Sequence, residues 1–197
     1  MQFKLAILAV CVFISTVSSV PTSGTSEEED LNTKNRDIWE TYSKSTVFWL
    51  LRRTYRVDGK RSLCRYATVL KRDKANHRIE QIMGSYDESQ EKYTKAKVYV
   101  TTRVGRSGYR NHMGVSLKGY DTTGIEYKMI YDDGQGCAIL KVTKDNRNQP
   151  QNLQNECEMW ATAKDANSVN SIRACEVVYQ KRCNPDYSEK DDTPYVT

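Results

Sequence analysis

From Thr46 to Ala163 the apolar residues tend to recur at every second position, in eight short runs separated by turns. In the first run Val47, Trp49, Leu51, Tyr55 and Val57 share one face with Arg53 among them, and Asp58-Gly59 closes it as a turn. Leu63 to Leu70 forms a second run, and a weaker third lies around Arg78 to Tyr86. In the fourth, Ala96, Val98, Val100 and Val104 alternate with Lys97, Tyr99, Thr101 and Arg103. A fifth spans Met113 to Leu117. In the sixth, Ile125, Tyr127, Met129 and Tyr131 alternate with Glu126 and Lys128 ahead of the turn Asp132-Asp133-Gly134. Cys137 to Thr143 and Cys157 to Ala163 complete the set. A period of two places one face of each strand in a core, so the pattern predicts a mainly β domain, a sandwich or an up-and-down barrel.

The period is helical on either side of these strands. Ser26 and Glu29 have capping-box spacing, and a helix running from there to about Lys44 would bury Leu31, Ile38, Trp39 and Tyr42. Asp37 or Asn35 would cap a shorter one. After the eighth strand, from about residue 165, Val169, Ile172, Cys175, Tyr179 and Cys183 fall near one stripe, and Asn184-Pro185 ends the segment. Residues 186–197 read as an extended tail.

The N-terminus changes the setting. Lys4, an apolar run from Leu5 to Ile14 and the small residues up to Ser19 form a cleaved secretory signal, residues 1–19, which leaves 20–197 as one domain. The run is about half the roughly twenty residues that a membrane span needs. The mature chain is therefore expected outside the cell, soluble and monomeric. Removing Lys4 takes the formal charge from +5 to about +4. Basic residues are interspersed with acidic ones, and Glu27 to Asp30 form an acidic cluster, so no nucleic-acid partner is expected.

Cys11 leaves with the signal. Cys64, Cys137, Cys157, Cys175 and Cys183 remain, an odd number that an exported chain uses first for disulfides. If strands seven and eight form a hairpin centred near Pro150, Cys137 lies opposite about Ala163 and Cys157 opposite about Thr143. The two are then too far apart to bond, since bridged Cα atoms lie within about 7 Å. The following helix returns Cys175 toward Cys137. The expected bridges are Cys137–Cys175 and Cys64–Cys183, with Cys157 left over. No Cys-x-x-Cys is present, and His77 and His112 stand far from the cysteines, so no metal or cofactor is expected. With no phosphate loop, no Gly-x-Ser-x-Gly and no His-Glu-x-x-His, the chain is read as a binder and not an enzyme.

Four features together make the chain from Asp37 onward similar to the salivary lipocalins of ticks, the family of their histamine-binding proteins. They are Asp37-Ile38-Trp39 in the first helix, Cys64 early in the second strand, and the run Tyr131-Asp132-Asp133-Gly134-Gln135-Gly136-Cys137. The most specific is Cys157-Glu158-Met159-Trp160 followed by a helix with Cys175 and Cys183. The resemblance implies an eight-stranded antiparallel barrel with a short N-terminal helix, a C-terminal helix packed outside and a ligand cavity. It also implies a function: scavenging a small host mediator, a biogenic amine such as histamine or serotonin, or else a leukotriene or fatty acid. A protein-binding inhibitor, of complement for instance, is the competing class.

Glu158 and Trp160 stand two apart and face the same way on a strand. The resemblance implies that both line an amine site. A buried carboxylate needs a partner, either a ligand ammonium with Trp160 adding a cation–π contact, or Arg53. Arg53 facing the cavity with Trp49 would instead hold an acidic lipid. Tyr127 and Tyr131 are expected in the wall.

Overall fold

The computed structural model describes residues 37–55, 62–87, 90–106, 108–120, 124–149, 151–162 and 169–183, without the side chains of 62–64 and 169–171. The signal segment, the Ser26–Glu29 spacing and the tail lie outside the described residues. Helix α1 (Ile38–Lys44) starts at Asp37, whose carboxylate accepts the backbone N–H of Trp39 at 2.7 Å. That is the shorter of the two helices expected there. At its other end the Arg72 guanidinium donates to the carbonyls of Tyr42 (3.1 Å) and Ser45 (2.5 Å), where a cation complements the helix dipole.

Eight antiparallel strands follow: β1 (Val47–Arg53), β2 (Ser62–Asp73), β3 (Arg78–Asp87), β4 (Lys92–Arg103), β5 (His112–Ser116), β6 (Ile125–Asp132), β7 (Cys137–Asp145) and β8 (Cys157–Thr162). Each pairs with the next, and β8 pairs with β1, so the sheet is a closed barrel. Closure leaves no unpaired edge. The β6–β7 turn forms where the sequence signalled it. The Asp133 carboxylate accepts from the N–H groups of Gln135, Gly136 and Cys137, and Gly134 and Gly136 take positive φ.

Two apolar layers result. Inside the barrel Phe48, Leu50, Ala67, Ile79, Val100, Met129, Leu140 and Trp160 form a core into which Ile38, Trp39 and Tyr42 of α1 pack. Helix α2 (Val169–Cys183) lies outside and buries Cys175, Tyr179 and Cys183 against Leu51, Tyr131, Ile139 and Met159. Val104, assigned to the interior stripe of β4 by alternation, is exposed beyond the strand end, and Thr102 is buried.

The cysteine pairing needs correction. Cys137 is bonded to Cys175, but Cys183 is bonded to Cys157 and not to Cys64. In the β7–β8 ladder Cys137 faces Ala161 and Cys157 faces Lys141, so the two cysteines on the outer face stand four residues apart along the strands, roughly 13 Å. Cys175 and Cys183 are eight residues apart on the helix, roughly 12 Å. The two spacings match, and α2 laid along the hairpin meets both cysteines at once.

Candidate functional site

The strands place α1 across one end of the barrel. A cavity of about 1100 Å³ opens at the other, where Asp87, Lys95, Lys118 and Arg147 stand at the rim. Its wall includes Tyr42, Arg65, Gln81, Met83, Val98, Met113, Tyr127, Glu158 and Trp160.

Glu158 is only 2% exposed, and three side chains donate to its carboxylate. Tyr55 Oη and Tyr127 Oη (3.3 Å) both reach Oε1, and Trp160 Nε1 reaches Oε2 at 2.8 Å. Burial, and then the charge of Glu158, raises the pKa of Tyr127 well above the ordinary value and raises those of Tyr42 and Tyr55 as well. The phenols of Tyr55 and Tyr127 therefore stay neutral and donate to the Glu158 carboxylate. A carboxylate has about four acceptor positions, so three donors leave room for one more.

Arg53 stands opposite Glu158 in the β1–β8 ladder, buried, with its guanidinium carbon 5.4 Å from the centre of the Tyr55 ring. It does not share a face with Trp49. The ladder slips between Leu50 and Arg52, so that Phe48 and Leu50 face the core while Trp49 lies against Tyr66, rings 5.5 Å apart, on the outside. After this bulge Arg53 returns inward. The same happens in β6, where the register shifts between Met129 and Tyr131. Tyr127 and Met129 face the interior, but Tyr131 belongs to the layer under α2. Trp49 and Tyr131 are thus corrected from cavity wall to outer face.

Other residues at the site were not singled out by the sequence. Arg65 alternates with Ala67 and Val69 on β2 and lines the cavity. Burial opposes its charge, yet the nearby Tyr55, Glu158 and Tyr127 outweigh that and raise its pKa. Gln81 is 3% exposed, and its Oε1 has no hydrogen-bond partner among the described residues, a cost of about 1–3 kcal/mol for a buried amide. At the rim Arg147 grips Asp145 with two bonds (2.9 and 2.7 Å), and Asp145 also accepts the N–H of Leu153 at 3.2 Å. The long polar β7–β8 loop is thereby tied down, and Leu153 fills the core.

A closed barrel with a lined cavity, an outer helix and this cysteine pattern has a counterpart at the level of families. The profile described as Tick histamine binding protein matches residues 26–195. The chain belongs to the tick histamine-binding protein family. Its barrel is the lipocalin barrel expected from the resemblance. The siderocalin Ex-FABP shares the fold, with a TM-score of 0.53 at 7% identity over 78% of this chain and 93% of that one. Lobster apocrustacyanin A1 (TM-score 0.49, 9% identity, 74% and 77% covered) is also similar. So is Japanin from Rhipicephalus appendiculatus, solved with cholesterol (0.44, 11%, 68% and 87%). No curated protein matches the sequence. The histamine-binding protein family is a family of binders and not of catalysts, and no cluster of metal-ligating side chains is found among the described residues. No helix among those residues is long and apolar enough to cross a membrane.

Proposed function

We propose that this chain is a secreted lipocalin that sequesters a small host mediator in its barrel, with Glu158 accepting the ammonium of a biogenic amine. The observation that carries this reading is a buried carboxylate on the cavity wall, oriented by two tyrosines and a tryptophan, with acceptor capacity to spare. An ammonium there gains a charge-assisted hydrogen bond in a dry setting and lies among aromatic rings that favour cations. Membership of the histamine-binding protein family supports the same ligand class. Secretion, with cleavage after Ser19, is part of the proposal, and N-terminal sequencing of the exported protein tests it.

One observation favours a second reading. Arg65 lines a cavity whose volume lies just above the range for drug-sized ligands, about 300–1,000 Å³. A fatty acid or leukotriene would place its carboxylate on that guanidinium. Calorimetric titration of histamine, serotonin and leukotriene B4 separates the two. The amine reading expects a single amine site that is lost in Glu158→Gln and kept in Arg65→Met. Leukotriene binding that is lost in Arg65→Met, with no amine bound by the unaltered protein, would replace it by the second reading.

A further inference from the structure

We propose that Gln81 is a specificity-determining residue of this cavity, taking a hydroxyl on the far end of an aromatic amine whose ammonium is held at Glu158. The inference rests on the amine reading above and adds the other end of the ligand. Gln81 lies on β3, three strands around the closed wall from β8, which carries Glu158, and both side chains line the same cavity. Its neighbours within the sheet explain why its Oε1 has no partner among the described residues. Across the ladders it faces Val69 on one side and Val98 on the other. Along its own strand the residues on the same face are Ile79 and Met83. None of the four side chains has a hydrogen-bond donor to offer Oε1, so the carboxamide is set in an apolar stretch of wall.

The chemistry of that group limits what it recognises. A carboxamide both donates and accepts but carries no charge, and its last torsion is broad, so either end can be turned to the cavity. A charged ligand group would be stripped of water there without a counter-ion. A hydroxyl, which also donates and accepts, is matched. A water at Gln81 has one side chain of this wall as its partner, short of the about two to four polar partners that hold an ordered buried water. A ligand hydroxyl displaces it with little loss.

Serotonin and tryptamine differ by one ring hydroxyl and serve as the probes. Titrated into the unaltered protein, serotonin is expected to bind about threefold to tenfold more tightly than tryptamine, the range for one neutral hydrogen bond. In Gln81→Leu that preference should vanish through weaker serotonin binding, with tryptamine unchanged or tighter. The empty Gln81→Leu protein should melt at the same temperature or higher, because a buried amide oxygen with no partner among the described residues has been removed. A lower melting temperature would show that the carboxamide has a structural partner and would overturn the proposal. So would a serotonin preference that survives the substitution. Equal binding of both amines by the unaltered protein, lost in Glu158→Gln, would overturn the Gln81 role and leave the amine reading standing. Failure of both amines to bind would remove the amine reading and this subsite with it.

Discussion

Glu158 illustrates how a single residue changes meaning once its neighbours are known. As an isolated buried carboxylate it would destabilise the empty protein, and its replacement would relieve strain. With Tyr55, Tyr127 and Trp160 donating to it, the expectation reverses. In Glu158→Gln the amide oxygen can keep Trp160 Nε1–H, but the N–H₂ then faces Tyr55 and Tyr127, whose oxygens accept from it while their own buried O–H groups lose their acceptor. The empty variant should lose about 1–3 kcal/mol, read as a lower midpoint in thermal or denaturant unfolding, and it should no longer bind amines. A variant as stable as the parent would mean that the three donors are not holding the carboxylate. Asp145 makes a second prediction at this scale. Its bonds to Arg147, and then to the backbone of the loop, lower its pKa to about 2, against about 3.9 when unfolded. A depressed folded pKa contributes stability that is complete above about pH 4 and lost as pH falls toward 2. Asp145→Asn should therefore be less stable at neutral pH, and the stability curves of the two proteins should converge between about pH 4 and pH 2. Curves that stay parallel across that window would remove Asp145 as the anchor of the rim loop.

At the scale of elements, the strands and helices stand close to where the alternation put them, and the faces within two strands do not. One bulge in β1 and one in β6 each insert a residue, and with a period of two an inserted residue reverses every side chain beyond it. That is why Arg53 is buried opposite Glu158 while Trp49 is outside, and why Tyr131 lies under α2 while Tyr127 meets the ligand space. Helix α2 is held by two bridges, by Arg52 to Glu176 at 2.5 Å, and by Arg182 donating to the carbonyl of Ile130 at 2.6 Å. The surface ion pair is worth little, up to about 1 kcal/mol. The bridges are worth more. For sequence separations of 38 and 26, the chain-entropy estimate is about 3–4 kcal/mol each. Peptide mapping of the oxidised protein should recover Cys157 joined to Cys183, and Cys183→Ala should cost about 3 kcal/mol. A peptide joining Cys64 to Cys183 would contradict the geometry.

For the whole molecule, closure of the barrel turns three tryptophans into three different reporters. Trp39 sits in the α1 plug, Trp49 on the outer face and Trp160 on the cavity wall. A cavity ligand should change the fluorescence of the unaltered protein and of Trp49→Phe to the same degree, and the change should be largely lost in Trp160→Phe. A response lost with Trp49 instead would place binding on the outside of the barrel. Because the ligand binds the folded state alone, it should also stabilise that state by mass action, by about 2.7 kcal/mol at a hundred times Kd. A ligand that gave neither effect would point to the barrel as a platform for a protein partner.

The order of elements, the short strands, the Asp133-Gly134 turn and the buried stripe of α2 were all legible in the sequence, with Asp37 one of several possible caps for α1, because each depends on contacts within a few residues or on a simple period. The pairing of Glu158 with Trp160 on one face was legible for the same reason. The inward face of β8, the partners of Glu158 and the place of Arg65 and Gln81 in the wall were decided only when the strands closed on one another. Alternation tells which residues share a face, not which face is inside, and a bulge leaves no mark in composition. The cysteine pairing was likewise a matter of register. The hairpin set by Cys137 opposite Ala161 puts Cys157 one helix-length step away, and the helix that crosses it carries cysteines at the matching rise. Local periodicity wrote the list of strands and helices, and the closure of the sheet chose which side chains meet the ligand.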